Sequence, residues 1–170
     1  GKIGLGKFLG GQVWKPGTDK YGISPMIMGS LYITGGAIAV GVPIGIFTAV
    51  FLAKYCPSGL YKIIKPATEL LAGIPSVVYG FLGLMVIVPA VRMIFGTNRT
   101  DGMSILTASF LLGIMILPTI ISVSESSLRA VPESYYEGSL ALGATHERSV
   151  FSAVFPAARS GILAGIILGV

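Results

Sequence analysis

Few side chains in this chain could take part in catalysis, and those few lie far apart in the sequence. The 170 residues include one His, His146, one Cys, Cys56, and seven Asp or Glu. The apolar segments contain neither a His-Glu-x-x-His pattern nor a pair of carboxylates, so they offer no metal ligands and no nucleophile with its base. We therefore predict no catalytic residue, no metal site and no enzymatic activity in this chain.

The first residues, GKIGLGKF, come close to the phosphate-binding P-loop pattern G-x-x-x-x-G-K-[ST]. Phe8 stands where that loop needs a hydroxyl for its metal ion, and no strand precedes the segment. We interpret the match as a coincidence in a stretch rich in Gly and Lys.

The composition indicates a membrane protein. Hydrophobic residues make up 53% of the chain, charged residues only 11%, and the mean hydropathy is +0.84. Soluble domains contain about a quarter charged residues, so this apolar excess indicates that lipid is the solvent. The basic residues behind the net charge of +5 are scattered along the chain, and we expect no nucleic acid partner.

Three long apolar segments and the beginning of a fourth are typical of membrane helices, and none alternates like a barrel strand. They are residues 25–53, 72–91, 103–123 and 157–170. The predicted fold class is therefore all-α, a polytopic transmembrane helical bundle. Gly41 and Gly45 form a GxxxG step beside Pro43, which we interpret as close helix packing with a kink.

We expect residues 1–170 to be one domain and an internal piece of a longer protein, incomplete at both ends. The last apolar segment is shorter than the ~20 residues that a spanning helix needs. The connections 54–66 and 124–156 must share one side of the membrane, because two spans separate them. Six Lys or Arg lie on each side, so the positive-inside rule gives no orientation.

The polar stretch 135–156 interrupts the apolar sequence and reads as a helical hairpin. Ser134 and Glu137 have the spacing of a capping box, which predicts a helix beginning near Tyr135. Gly143 suits the end of that helix, and Thr145 suits the cap of a second one.

Pro156 would end the second helix and suit the first turn of the next. The stretch is rich in small side chains, which make a smooth surface that suits docking into a groove of another protein. An ordinary amphipathic connection is the alternative. The small residues are Gly138, Ser139, Ala141, Gly143 and Ala144.

This stretch resembles the EAA loop of ABC importer permeases, whose pattern is E-A-A, three residues, G, nine residues, I-x-L-P. Glu137, Gly143 and Pro156 match it at the right spacing. The departures are Gly138 and Ser139 for the two alanines, Ala153 for Ile and Phe155 for Leu. The resemblance implies that 124–156 is a cytoplasmic coupling loop, that 54–66 is also cytoplasmic, and that a separate ATPase receives the loop. The implied coupling residues are Glu137, Gly138, Ser139, Gly143, Ala144 and Pro156.

Other stretches are similar to phosphate-specific importer permeases, and residues 8–16 and 21–31 favour the C-type over the A-type subunit. The supporting stretches are 69–84, 113–120 and 124–145. The resemblance covers nearly the whole chain. It implies a multi-pass subunit of a bacterial or archaeal cytoplasmic (inner) membrane, which forms a phosphate path as a heterodimer with an A-type permease. It also implies a cytoplasmic ATPase dimer that binds ATP and Mg, which this chain does not, and an extracytoplasmic phosphate-binding protein.

Phosphate in such a path would need hydrogen-bond donors, since charges within the apolar segments are scarce. Gly73 and Pro75 favour a break in the second span, after which Ser76 and free backbone N–H groups could face an anion. Thr119 and Ser122, near Pro118, offer hydroxyls in the third span. Proline kinks that serve packing alone are the alternative for both places.

Three other functions remain open at this point. A permease for another oxyanion, of the sulfate or molybdate type, would keep the coupling loop. A membrane-embedded enzyme would need catalytic groups within the spans. A structural anchor would need neither a broken span nor a coupling loop.

Overall fold

The computed structural model describes residues 5–15, 20–95 and 103–170. Part of the GKIGLGKF pattern, at 1–4, lies outside the described residues. The helices in chain order are α1 (Leu5–Gly10), α2 (Ser24–Val50), α3 (Ser58–Ala72), α4 (Ser76–Leu82), α5 (Val88–Phe95), α6 (Ile105–Arg129), α7 (Glu133–Ala141), α8 (His146–Ser149), α9 (Phe155–Ala157) and α10 (Arg159–Gly169). Three π-helical segments, Phe51–Tyr55, Gly83–Ile87 and Val150–Val154, connect consecutive helices.

A short antiparallel pair precedes the first long helix. It consists of β1 (Trp14–Lys15) and β2 (Lys20–Tyr21), with Trp14 opposite Tyr21. In the described parts of the chain all other regular structure is helical, which confirms the predicted all-α class.

Three continuous helical segments among the described residues are long and apolar enough to cross a membrane. They are Ser24–Tyr55, Ser76–Phe95 and Ile105–Arg129. A fourth would form if the pair His146–Ala157 and Arg159–Gly169, which is bent by 68°, counts as one span. The second segment begins at Ser76 instead of near residue 72, and the third continues past residue 123 to Arg129.

The predicted capping box at the start of α7 is wrong. The helix begins at Glu133, its cap position is Pro132, and no side chain caps it. Pro132 has φ −55° and ψ 138°, so the ring fixes the direction in which the chain enters the helix. Ser134 therefore already lies inside the helix, where it cannot act as the cap.

The centre of the bundle is the contact between α2 and α6, and the glycines of the GxxxG step make it close. A Cβ on Gly41 would lie 2.9 Å from the carbonyl oxygen of Gly113, and one on Gly45 would lie 2.8 Å from Cγ2 of Ile120. The predicted packing role of these two glycines is confirmed. A small apolar core of Ala37, Ile116 and Ile120 fills this contact.

A second apolar core attaches the hairpin to the ends of α2 and α6. Its members are buried residues from α2, α6, the π-helical segment of the hairpin and the last helices. They are Ala49, Val50, Leu128, Val150, Val154, Ala158 and Ile162. In this core Val150 and Val154 of the hairpin pack together with residues of α2, α6 and α10. The hairpin is therefore packed onto the bundle.

The substitution Gly41→Ala should lower the stability of the bundle. The new Cβ meets a backbone oxygen that cannot rotate away, and overpacking of this kind costs about 1–3 kcal/mol. Gly35→Ala, in the same helix, is the matched control, because a Cβ there meets none of the described residues within 4 Å. The measurement is the thermal unfolding midpoint of the detergent-purified protein. Equal midpoints for the two variants would contradict the close α2–α6 contact.

Candidate functional site

The turn of the hairpin between α7 and α8 is built by Gly143. Its φ is +84°, a left-handed conformation that glycine adopts without a steric cost. The N–H of Gly143 donates to the carbonyl of Leu140 at 2.8 Å, and that of Ala144 donates to the carbonyl of Ser139 at 3.2 Å. These two bonds form a Schellman motif, which closes the C-terminal end of α7. The predicted role of Gly143 as helix terminator is confirmed.

Thr145 caps α8, as the sequence predicted. Its side-chain oxygen accepts a hydrogen bond from the N–H of Arg148 at 3.4 Å. Glu147 lies in the first turn of this short helix, where a negative charge is favourable. Both ends of the turn are therefore fixed by local interactions.

The outer side of the hairpin, by which we mean the exposed residues of α7 and of the turn at 142–143, faces away from the apolar core. No residue of α7 is buried, and Leu142, beside the turn, is 91% exposed. Of the predicted coupling residues, Glu137, Gly138 and Gly143 are exposed, while Ser139 and Ala144 are half-buried. The structure thus brings these five residues together on one hairpin.

The sixth predicted coupling residue, Pro156, lies apart from that turn. It is exposed and belongs to the one-turn helix α9. Helical structure continues through Pro156, and the chain bends by 68° at the following break, Ala158. The predicted end of the second helix at Pro156 is therefore wrong, since Pro156 lies inside the continuous helix His146–Ala157 and the break follows at Ala158.

Aromatic contacts seat the inner side of the hairpin on the end of the first span. The hydroxyl of Tyr136 and Nδ1 of His146 are 2.6 Å apart, and the rings of His146 and Tyr55 meet edge to face at 4.9 Å. The ammonium of Lys54 lies 5.9 Å from the centre of the Tyr136 ring. The only His of the chain therefore has a packing role in this structure.

An ion-pair network lies beside the hairpin. The sequence analysis did not predict it. Glu125 in α6 is 2% exposed. Its carboxylate accepts hydrogen bonds from the Tyr61 hydroxyl at 3.0 Å, from Lys65 Nζ at 2.9 Å and from Nε of Arg129. Arg129 also donates from Nη2 to the carbonyl oxygen of Leu52 at 2.9 Å. We call Glu125, Lys65, Arg129 and Tyr61 the Glu125 network.

The network compensates the burial of a charge. An ionised carboxylate removed from water is costly unless it is paired and hydrogen-bonded, and breaking a buried pair costs about 3–5 kcal/mol. Burial of the Lys65 ammonium opposes its charge, but the hydrogen bond and attraction to Glu125 outweigh this and raise the pKa of Lys65 above its ordinary value. Lys65 therefore stays charged at neutral pH. An acidic residue within a long apolar helix was the sequence signal that could have indicated this site.

The predicted helix break is present, but it lies just before the second long span, which begins at Ser76, and not within it. Gly73, Ile74 and Pro75 separate α3 from α4, which begins at Ser76. The hydroxyl of Tyr79, a buried residue, donates across the break to the carbonyl oxygen of Leu71 at 2.8 Å. Ser76 is exposed. No ligand contact tests its role in a substrate path, so that role stays a prediction.

The other two predicted path residues lie in an unbroken helix. α6 continues through Pro118, and Thr119 and Ser122 are half-buried on it. The hydroxyl of Ser122 accepts a long hydrogen bond from Lys65 Nζ at 3.4 Å. Through Lys65 the structure therefore links one predicted path residue to α3, the helix that precedes the break.

Comparison with known proteins shows which family of membrane proteins the chain belongs to. The family described as "Binding-protein-dependent transport system inner membrane component" matches residues 41–170, which include two of the long spans, the break and the hairpin. The chain belongs to this family of transport permeases.

Similarity to individual proteins indicates more specifically which permeases the chain resembles. The chain is 41% identical over 166 residues to the probable ABC transporter permease protein YqgH of Bacillus subtilis, which covers 96% of this chain and 53% of that protein. It is 35% identical over 178 residues to the phosphate transport system permease protein PstC of Mesorhizobium japonicum, covering 95% and 54%. It is 34% identical over 181 residues to PstC of Haemophilus influenzae, covering 96% and 58%.

These similarities confirm the resemblance to phosphate permeases of the C-type. The chain spans little more than half the length of these relatives.

Proposed function

We propose that this chain is a permease subunit of an ATP-driven phosphate importer, which forms part of the phosphate path and is coupled to a separate ATPase through the hairpin 135–156. The observation that supports it best is the hairpin itself. Its turn is fixed by the Schellman motif and the Thr145 cap, its inner side is packed on two spans, and its outer side is exposed. Because the hairpin is held rigidly on the spans, a movement of a partner docked to it would be passed on to the spans.

The proposed partner on the outer side of the hairpin is a cytoplasmic ATPase dimer, which binds ATP and Mg. Small residues at Gly138, Ser139 and Ala144 permit close approach of a partner surface, and Leu142 offers an apolar contact. The connections 54–66 and 124–156 are then cytoplasmic. The chain would lie in the cytoplasmic membrane of a bacterium or archaeon.

Phosphate is the proposed substrate because the Mesorhizobium and Haemophilus relatives are named phosphate transport system permeases. A second permease of the A-type and an extracytoplasmic phosphate-binding protein complete the proposed complex. Within this chain, the break at Gly73–Pro75 and the hydroxyls of Ser76, Thr119 and Ser122 are the proposed path residues. Transport of another oxyanion, such as sulfate or molybdate, is the alternative.

The direct test is uptake of labelled phosphate into vesicles with the full-length protein, its partner permease, ATPase and binding protein. We expect uptake that requires ATP and that excess sulfate or molybdate does not reduce. If sulfate or molybdate reduces phosphate uptake, the protein transports oxyanions more broadly and is not specific for phosphate. ATP hydrolysis without phosphate uptake would remove the substrate assignment and leave the permease class.

Variants at Gly143 test the hairpin in the same vesicles. Gly143→Leu should reduce phosphate uptake per assembled complex at least tenfold, because a branched side chain in the left-handed conformation costs about 1–2 kcal/mol and projects towards the partner. Gly143→Asn is the matched control, since asparagine tolerates this conformation. A Cβ at this position meets nothing within 4 Å among the described residues, so the first side-chain atom of either variant has space. Full uptake with Gly143→Leu would contradict the coupling role.

A further inference from the structure

Glu125 is the one charged side chain that is buried among the described residues. The proposed docking of the hairpin does not use it, and it lies on α6 away from the hairpin's outer side. It receives hydrogen bonds from Tyr61, Lys65 and Arg129. A buried carboxylate with partners from separate elements links those elements, because moving one element away removes part of the hydrogen bonding and charge that compensate its burial.

The Glu125 network binds α3 to α6 through Tyr61 and Lys65. Apart from these contacts α3 is packed only lightly against the bundle. Thr68 is the only buried residue of α3, and its hydroxyl donates to the carbonyl of Lys65 within the same helix. Apolar side chains elsewhere on α3 are exposed, with Ile63 at 68% and Leu70 at 74%. The described polar contacts from α3 to α6 come from Tyr61 and Lys65.

On the other side the network reaches the hairpin and the first span. Arg129 is the last residue of α6, and Glu133 begins α7 shortly after it. The Arg129 guanidinium donates to the carbonyl of Leu52 and lies 4.5 Å from the centre of the Tyr61 ring. Leu128, next to it, is fully buried in the core that attaches the hairpin. A displaced hairpin would therefore displace the end of α6.

The far end of α3 leads directly to the break that precedes the second span. α3 ends at Ala72, the break follows at Gly73–Pro75, and the Tyr79–Leu71 hydrogen bond connects both sides of it. Any shift of α3 relative to α4 changes the geometry of this break.

From these contacts we infer that Glu125 is a positioning residue that makes α3 move together with the α2–α6 pair, so that a movement of the hairpin reaches the Gly73–Pro75 break. This inference rests on the proposed coupling function, since it assigns a route to the same movement. Glu125 and Lys65 touch neither the partner nor the substrate in this account. Their ion pair, which is protected from solvent, keeps α3 at a fixed position relative to α6.

A distance measurement in the full transporter complex tests the link without requiring transport. Spin labels would be placed at Ile63→Cys on α3 and Phe47→Cys on α2, which are 68% and 67% exposed, after Cys56→Ser and removal of other cysteines in the complex. With an intact network we expect one narrow distance distribution that is the same with and without ATP. Glu125→Gln and Lys65→Gln should broaden it at least twofold, while Lys65→Arg should keep it narrow.

Exposed Glu69 supplies the matched control. Its carboxylate lies 3.7 Å from the same Lys65 ammonium, but its side chain is 60% exposed, so Glu69→Gln should leave the distribution unchanged. A distribution as narrow in Glu125→Gln as in the wild type would overturn the inference. A wild-type distance that itself changes with ATP would overturn it too, because α3 would then move independently.

Transport gives the second readout. In proteoliposomes, Glu125→Gln should raise the ATP hydrolysed per phosphate imported at least fivefold, with the amount of assembled complex preserved. A parallel fall of uptake, hydrolysis and assembly would mean a purely structural role and would overturn the inference. If the wild type imports no phosphate, the proposed function fails, while the spin-label distances still decide the link.

Discussion

The close contact between α2 and α6 is the constraint on which the other features depend. Gly41, Gly45 and Gly113 remove side-chain bulk there, so the two backbones approach until a Cβ would touch a carbonyl oxygen. In lipid, such packing replaces the hydrophobic effect as the force between helices. The same two helices end side by side, and this places Leu52 and Arg129 within a hydrogen bond of each other. The hairpin core and the Glu125 network both form at these ends.

Two kinds of attachment then extend from this pair of helices. The hairpin is held by apolar burial around Leu128, Val150 and Val154, which has no directional requirement. The helix α3 is held by ion pairs and hydrogen bonds to Glu125, which require a defined geometry. The first attachment makes the hairpin part of the bundle. The second attachment suits α3, because α3 leads to the helix break before the second span and its position sets the geometry of that break.

Local features of the sequence predicted local structure well. The apolar lengths predicted the spans, Gly143 predicted the left-handed turn, and Thr145 predicted a cap. The partners of Glu125 could not be found this way, since Tyr61 and Lys65 lie 64 and 60 residues away in the chain. Competing local signals also caused the errors, as at Ser134, where Pro132 fixes the helix start first. Pro75, preceded by Gly73, breaks its helix, whereas Pro118 is buried within a continuous one.

We propose that the exposed outer side of the hairpin docks onto the ATPase. A photo-crosslinker on Leu142→Cys, at a position 91% exposed beside the hairpin turn, tests it in membranes that contain the assembled complex. The control is Met93→Cys, 88% exposed near the end of α5, which the proposed topology places at the opposite face of the membrane. We expect a crosslink to the ATPase from position 142 and none from position 93. No crosslink from position 142, or equal crosslinks from both, would contradict it.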